Sequence, residues 1–164
     1  MQRHPFVKND HGLYEINGSI KPDDILTLAA DILYEGFSQR DALTNPTDVA
    51  RFLQLQLARE EHENFAVLFL DGKHRVITYE KIFSGTIDSA VVYPRVVAKL
   101  ALTFNAAAIV VAHNHPSNDC EPSEADKRLT RQLKESLALI DIRVLDHFIV
   151  SRSGWMSFAD RGLL

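Results

Sequence analysis

Apolar residues recur along this chain with two periods, and the change from one to the other organises it. Ile25, Leu28, Ala29, Ile32 and Leu33 fall at helical spacing. Pro22 suits the first turn of that helix, and Asp23 and Asp24 suit its positive end. Gly36 stands where the run can stop. A second helix is expected from Asn45–Pro46, with Val49, Phe52, Leu53 and Leu57 as its buried stripe. The pattern changes at Glu63. Phe65 to Leu70 is continuously apolar, as in a strand covered on both faces. Asp71–Gly72 signals a turn, and His74 to Ile82 alternates as an antiparallel return strand, broken at Ser84–Gly85–Thr86.

Beyond that hairpin, Tyr93–Pro94 opens a third helix carrying Val96, Val97, Leu100, Ala101 and Phe104. Ala106 to Ala112 reads as another central strand, and a polar loop runs from Asn114 to Pro122. Ser123 to Leu139 predicts a long helix with Leu129, Leu133, Leu137 and Leu139 as its apolar positions. Ile142 to Val150 is the last clear strand, with Trp155 and Phe158 forming an edge strand or a cap. Met1 to Ser19 is polar, weakly patterned and reads as an arm. The order of elements predicts one α/β domain with a mixed sheet sandwiched by helices.

Composition narrows the function. With 164 residues, 46% of them hydrophobic, the chain can bury a core without disulfides or a structural metal. A metal site here would therefore be catalytic rather than structural. The net charge is −4, from 18 basic and 22 acidic residues, and no Lys/Arg run occurs, which argues against nonspecific nucleic-acid binding. The single cysteine, Cys120, forms no internal disulfide and fits a reducing, cytoplasmic compartment. Met1 to Lys21 has no apolar core of a signal peptide, and the longest apolar run is far too short to span a bilayer, so no membrane association is expected.

The candidate chemistry lies in His113-Asn114-His115-Pro116 and Ser123-Glu124-Ala125-Asp126. Residues i and i+2 of a strand share a face, roughly 7 Å apart along the chain. Two imidazoles so placed can converge on one ion, and Asp126, in the first turn of the next helix, can return a carboxylate to the same point. Two His and one Asp leave a fourth tetrahedral position for water, as in catalytic zinc sites. Each half has a plainer reading. A strand-end histidine is usually a polar terminus, and Ser-x-x-Asp is a capping box. Four specified residues at fixed offsets recur by chance roughly once in 10⁵ positions, so the set carries weight that its halves do not.

His-x-His, seven residues, then Ser-x-x-Asp resembles the JAMM (MPN+) metalloprotease signature. His62-Glu63 ahead of Val67 to Asp71, Gly85-Thr86, Pro94-Arg95, Asn105 to Ala108, His113 to Ser117 and Asp146-His147 are similar to the RadC branch of that superfamily. The resemblance runs from about Pro46 to the C-terminus and departs at Asn118, where glycine is usual. It implies a cytidine-deaminase-like, three-layer α/β/α fold with a mixed sheet over residues 45–164, preceded by an N-terminal arm and helix over residues 1–44. A short form without a helix-hairpin-helix segment is expected. The resemblance further implies one Zn²⁺ per chain held by His113, His115 and Asp126, with Ser123 stabilising an oxyanion and an upstream glutamate as general base. Glu63 matches that glutamate best, with Glu60 and Glu61 close enough to keep the choice open.

The function implied is a zinc-dependent metallopeptidase or isopeptidase, hydrolysing an amide bond of a peptide or protein conjugate with metal-activated water. The alternative is a DNA-repair or DNA-transaction factor with a structural or vestigial zinc site. A zinc deaminase is excluded because it needs Pro-Cys-x-x-Cys, and a zincin because His62-Glu63 is followed by Asn64, Phe65 and Ala66. Among other residues, Cys120 reads as an incidental loop thiol, and His62, His74 and Glu80 as surface groups. Arg95 reads as part of a solvated helix face. Asp146 and His147 are neighbours on a strand and point to opposite sides, so that at most one stands behind the site; His147 reads equally well as an ordinary core histidine.

Overall fold

Alternate positions of each central strand go to opposite faces of the sheet, and helices cover both. The computed structural model of the protein describes residues 5–38, 43, 45–85 and 92–164. The N-terminal arm pairs with itself: β1 (Phe6–Lys8) and β2 (Tyr14–Ile16) form a two-stranded antiparallel sheet. Two helices follow, α1 (Pro22–Ser38) and α2 (Pro46–Leu57), then a hairpin of β3 (Asn64–Leu70) and β4 (Val76–Ser84). The remainder is α3 (Pro94–Thr103), β5 (Ala108–Asn114), α4 (Glu124–Ala138), β6 (Arg143–Val150) and β7 (Trp155–Ser157). The main sheet has the order β4-β3-β5-β6-β7, and only β5 and β6 run parallel. This is the expected α/β/α arrangement with a mixed sheet.

Parity explains the two cores. Ala66, Leu68 and Leu70 of β3 join Ala108, Val110 and Ala112 of β5 beneath Val49, Phe52, Leu53 and Leu57 of α2. Phe65, Val67 and Phe69 join Ile109 and Val111 on the other face, beneath Val97 and Ala101 of α3 and Leu133 and Leu137 of α4. The continuous apolar runs of β3 and β5 are thus strands with both faces buried. A register shift between β5 and β6 pairs Ile109 with Val144 but Val110 with Asp146. That bulge decides which residues of β6 face α4.

Several local expectations are corrected. The buried side of α1 is Ala30, Leu33, Tyr34 and Phe37, while Ile25 and Ile32 are exposed. Both stripes have helical spacing, and the side that meets α2 wins. Gly36 does not end α1, which runs on to Ser38 and buries Phe37. Leu139 is 87% exposed, because two residues past buried Leu137 the helix has turned its side chain outward. β4 begins at Val76 rather than His74, which takes the left-handed position of the turn at φ 60°. There the Asp71 carboxylate accepts from the backbone N–H groups of Lys73 and Arg75 and from Arg75 Nε, and it is held down at about 2 by Arg75. Thr86, expected to help break β4, lies outside the described residues. Among the described residues, no helix is long and apolar enough to cross a membrane.

Candidate metal centre

The site forms where the parallel strand β5 ends and the helix that crosses over to β6 begins. Open α/β sheets place their ligand crevices at such carboxyl ends. His113 is the sixth residue of β5 and shares a face with Ile109 and Val111; its side chain is 1% exposed. Its ring stacks near that of Phe65, the residue opposite it on β3. His115, one step beyond the strand, keeps the same parity. Its backbone N–H donates to the Val150 carbonyl, which holds it at the sheet's edge. Asp126 sits in the first turn of α4.

Three side chains converge: His113 Nε2 lies 2.9 Å from His115 Nε2 and 3.3 Å from Asp126 Oδ1, and His115 Nε2 lies 3.7 Å from Asp126 Oδ2. Two ligands each about 2.0–2.1 Å from a tetrahedral cation stand roughly 3.3 Å apart. The observed separations bracket that value, so the donor set fits one small divalent ion. Among the described residues it is the one His/Cys/Asp/Glu group with this convergence. His115 Nδ1 donates to the Asp119 carbonyl at 2.7 Å, since a carbonyl only accepts, so in the neutral ring Nε2 is the nitrogen free to bind a cation. His113 turns its Nδ1 away as well, to His147 Nε2 at 2.8 Å.

The electrostatics follow from burial and neighbours. Burial alone would raise the Asp126 carboxyl, but His113, His115 and the Ser123 hydroxyl outweigh it and hold it far below the usual carboxylate range. Burial lowers His115, yet Asp126, the Asp119 carbonyl and the charge of Glu63 together raise it. His147 is fully buried, and burial together with neighbouring His113 keeps it neutral, well below an ordinary imidazole.

Ser123 and Asp126 do form a capping box. The Ser123 backbone N–H and hydroxyl donate to Asp126 Oδ2 at 2.7 and 2.6 Å, and Asp126 N–H donates to Ser123 Oγ at 3.1 Å. The cap and the candidate ligand are therefore one structure: it occupies Oδ2 and leaves Oδ1 toward His113. The plain reading of Ser-x-x-Asp and the chemical one coexist.

Glu63 immediately precedes β3. Phe65 and His113 are the last pair of the β3–β5 ladder, and beyond it the charge of Glu63 acts on His115. Glu60 and Glu61 precede the strand and line a cleft with His115, Pro116, Asn118 and Arg152; Glu60 accepts from Lys81 Nζ at 2.6 Å. The segment is pinned by Asn114, which points to the opposite face from the two histidines. Asn114 Oδ1 accepts from Asn64 N–H at 2.8 Å, and its amide donates to the His62 carbonyl at 3.0 Å. Sequence reasoning missed this clamp because its partner lies 50 residues away.

Other candidates are engaged elsewhere. Cys120 Sγ donates to Ser151 Oγ, and Arg95 lies over the Tyr93 ring. Asp146 points away from the centre, accepting from Ser157 Oγ at 2.6 Å and Ala159 N–H at 3.0 Å, and burial raises its carboxyl. His147 is the member of that pair that reaches the centre. Thr130, also missed, lies four residues after Asp126 on α4, a spacing that could have revealed it. At Asn118 the backbone takes φ 69°, a conformation natural to glycine and tolerated by asparagine. The Asn118 side chain also accepts from Ser153 N–H at Oδ1.

The model of the RadC-like JAB domain family matches residues 43–163. The chain belongs to that family. This RadC-like chain is 54% identical over 140 residues to a UPF0758 protein of Leptothrix cholodnii, matching 85% of the chain but 63% of that relative. A UPF0758 protein of Vibrio cholerae is 47% identical over 151 residues, or 92% of the chain and 96% of the relative. The chain thus spans less than two thirds of the longer relative and nearly all of the shorter one.

Proposed function

We propose that this RadC-like domain is a metal-dependent amide hydrolase, a zinc peptidase or isopeptidase acting on a peptide or protein conjugate. The observation that carries this reading is the convergence of His113 Nε2, His115 Nε2 and an Asp126 oxygen while both Nδ1 atoms are turned away. His113, His115 and Asp126 would hold the ion, and two imidazoles with one carboxylate suit zinc. A zinc ion so held lowers the pKa of water from 15.7 to about 7 and polarises the amide carbonyl.

The chain's own groups supply the rest. Glu63 takes the proton from the attacking water and returns it to the leaving amine. It is preferred to Glu60 and Glu61 because its charge acts on His115 and because it matches the family's glutamate best. The Ser123 hydroxyl stands at the positive N-terminus of α4 and donates to the developing oxyanion after rotating away from Asp126 Oδ2. The single cysteine accords with a cytoplasmic setting.

The test is metal analysis of the purified protein beside Asp126→Ala, joined to cleavage of a peptide and isopeptide library. The expected result is one zinc per chain, lost in the variant, with cleavage abolished by Glu63→Gln while metal is retained. Absence of stoichiometric metal from the unmutated protein would overturn the reading. A DNA-transaction role would instead give salt-dependent gel shifts unaffected by His113→Ala.

A further inference from the structure

We propose that His147 and Thr130 are positioning residues that fix the tautomer of His113, so that its Nε2 lone pair is presented to the cation site. The proposal rests on the metal reading above and extends that site one layer into the core.

The geometry sets the direction of a proton relay. Thr130 Oγ1 lies 2.7 Å from the Asp126 carbonyl oxygen and 2.7 Å from His147 Nδ1. The carbonyl can only accept, so the single hydroxyl proton is directed there. His147 Nδ1 must then carry a proton and donate it to the Thr130 oxygen. With the ring's one proton on Nδ1, His147 Nε2 accepts from His113 Nδ1 at 2.8 Å. His113 Nε2 is left bare, 2.9 Å from His115 Nε2 and 3.3 Å from Asp126 Oδ1. Once the hydroxyl proton is on the carbonyl, each step leaves one possibility for the next.

The reverse relay can also be written. If Thr130 donated to His147 Nδ1, His147 Nε2 would donate to His113 Nδ1 and His113 Nε2 would carry a proton, which prevents ligation. That arrangement keeps both imidazole contacts but gives up the hydroxyl's bond to the Asp126 carbonyl. Thr130 is thus where the two tautomers of His113 are told apart. The rings have little other freedom. His147 is stacked on Phe158 at 4.6 Å and meets Phe65 edge-on at 5.9 Å. The relay starts on the backbone of one ligand, Asp126, and ends on the ring of another, so helix α4 delivers the carboxylate and also sets the imidazole beside it.

The decisive variant is Thr130→Val, which keeps shape and removes the hydroxyl, with Thr130→Ser as the conservative rescue. Imidazole ¹⁵N shifts of the metal-free protein report the tautomer directly. The original chain and Thr130→Ser are expected to hold His113 as the Nδ1–H form, and Thr130→Val to shift it toward Nε2–H. Zinc affinity, by competition with a chromophoric chelator, is expected to weaken about 10–100-fold in Thr130→Val and to recover in Thr130→Ser. An unchanged tautomer and zinc affinity within twofold in Thr130→Val would overturn the proposal, as would an Nε2–H His113 in the original chain. The ¹⁵N readout needs no metal, so it decides this proposal even where zinc titration of the original chain shows no binding and the metal reading itself fails. If Thr130→Val does not fold, the His113 tautomer in the original chain and in Thr130→Ser decides the proposal instead.

Discussion

The two histidines of the centre lie two residues apart and share a face, yet their surroundings differ at every level. His113 is inside the sheet, walled by Phe65 and tied to His147. His115 is beyond the strand, partly open to solvent, with its Nδ1 on the carbonyl of a loop residue, Asp119. The core side is fixed by packing and by side-chain hydrogen bonds between secondary structures. The mouth side is fixed by a loop and by the clamp that Asn114 places on the segment before β3. One side holds a candidate ligand with little freedom; the other keeps a candidate ligand and the cleft near solvent.

The sharpest way to break that comparison is to truncate each histidine in the metal-free protein. His113→Ala leaves a cavity and strips His147 Nε2 of its buried partner, and is expected to cost about 3 kcal/mol. His115→Ala removes a partly exposed ring and is expected to cost under about 1 kcal/mol. Denaturant unfolding with metal removed measures both. Equal costs would show that the two sides are not differently built.

Asn114→Ala separates the faces of β5. It should cost about 1–3 kcal/mol by orphaning the buried Asn64 N–H, and hydrogen exchange should quicken over residues 60–64. Zinc stoichiometry should persist, because the Asn114 side chain is on the opposite face from the ligands. Loss of metal in this variant would contradict the separation. On the mouth side, Asn118→Val should cost about 1–2 kcal/mol through its left-handed backbone, and more than Asn118→Gly, which loses only the bond to Ser153. Thermal unfolding of the pair checks that order.

What the sequence made legible tracks how local each feature is. The candidate metal-binding group was readable because His113, His115 and Asp126 belong to one strand–loop–helix unit, and their spacing carries the geometry. The layers were readable because β3 and β5 are apolar on both faces. The stripe of α1 was not, since two apolar arcs compete and only contact with α2 chooses between them. Whether Asp146 or His147 turns toward the centre depends on the bulge opposite Ile109 and Val110, which leaves no mark in the sequence. Glu63 stood out from Glu60 and Glu61 only through resemblance. What the fold adds is that the charge of Glu63 acts on His115, a neighbour distant in sequence.

Ser123 gives a small expected effect on stability, and it joins the two sides because its hydroxyl belongs to the cap that orients Asp126. Ser123→Ala removes an N-cap and should cost about 1 kcal/mol. As a cap alone, its loss would change hydrolysis only as far as Asp126 is displaced, and zinc affinity would fall in step. As an oxyanion donor, its loss should lower kcat by about 10²–10³-fold with zinc stoichiometry intact. Measuring metal content, unfolding and turnover on the same Ser123→Ala preparation separates the roles. A fall in kcat that only follows the fall in bound zinc assigns Ser123 to the cap and leaves the oxyanion to another donor.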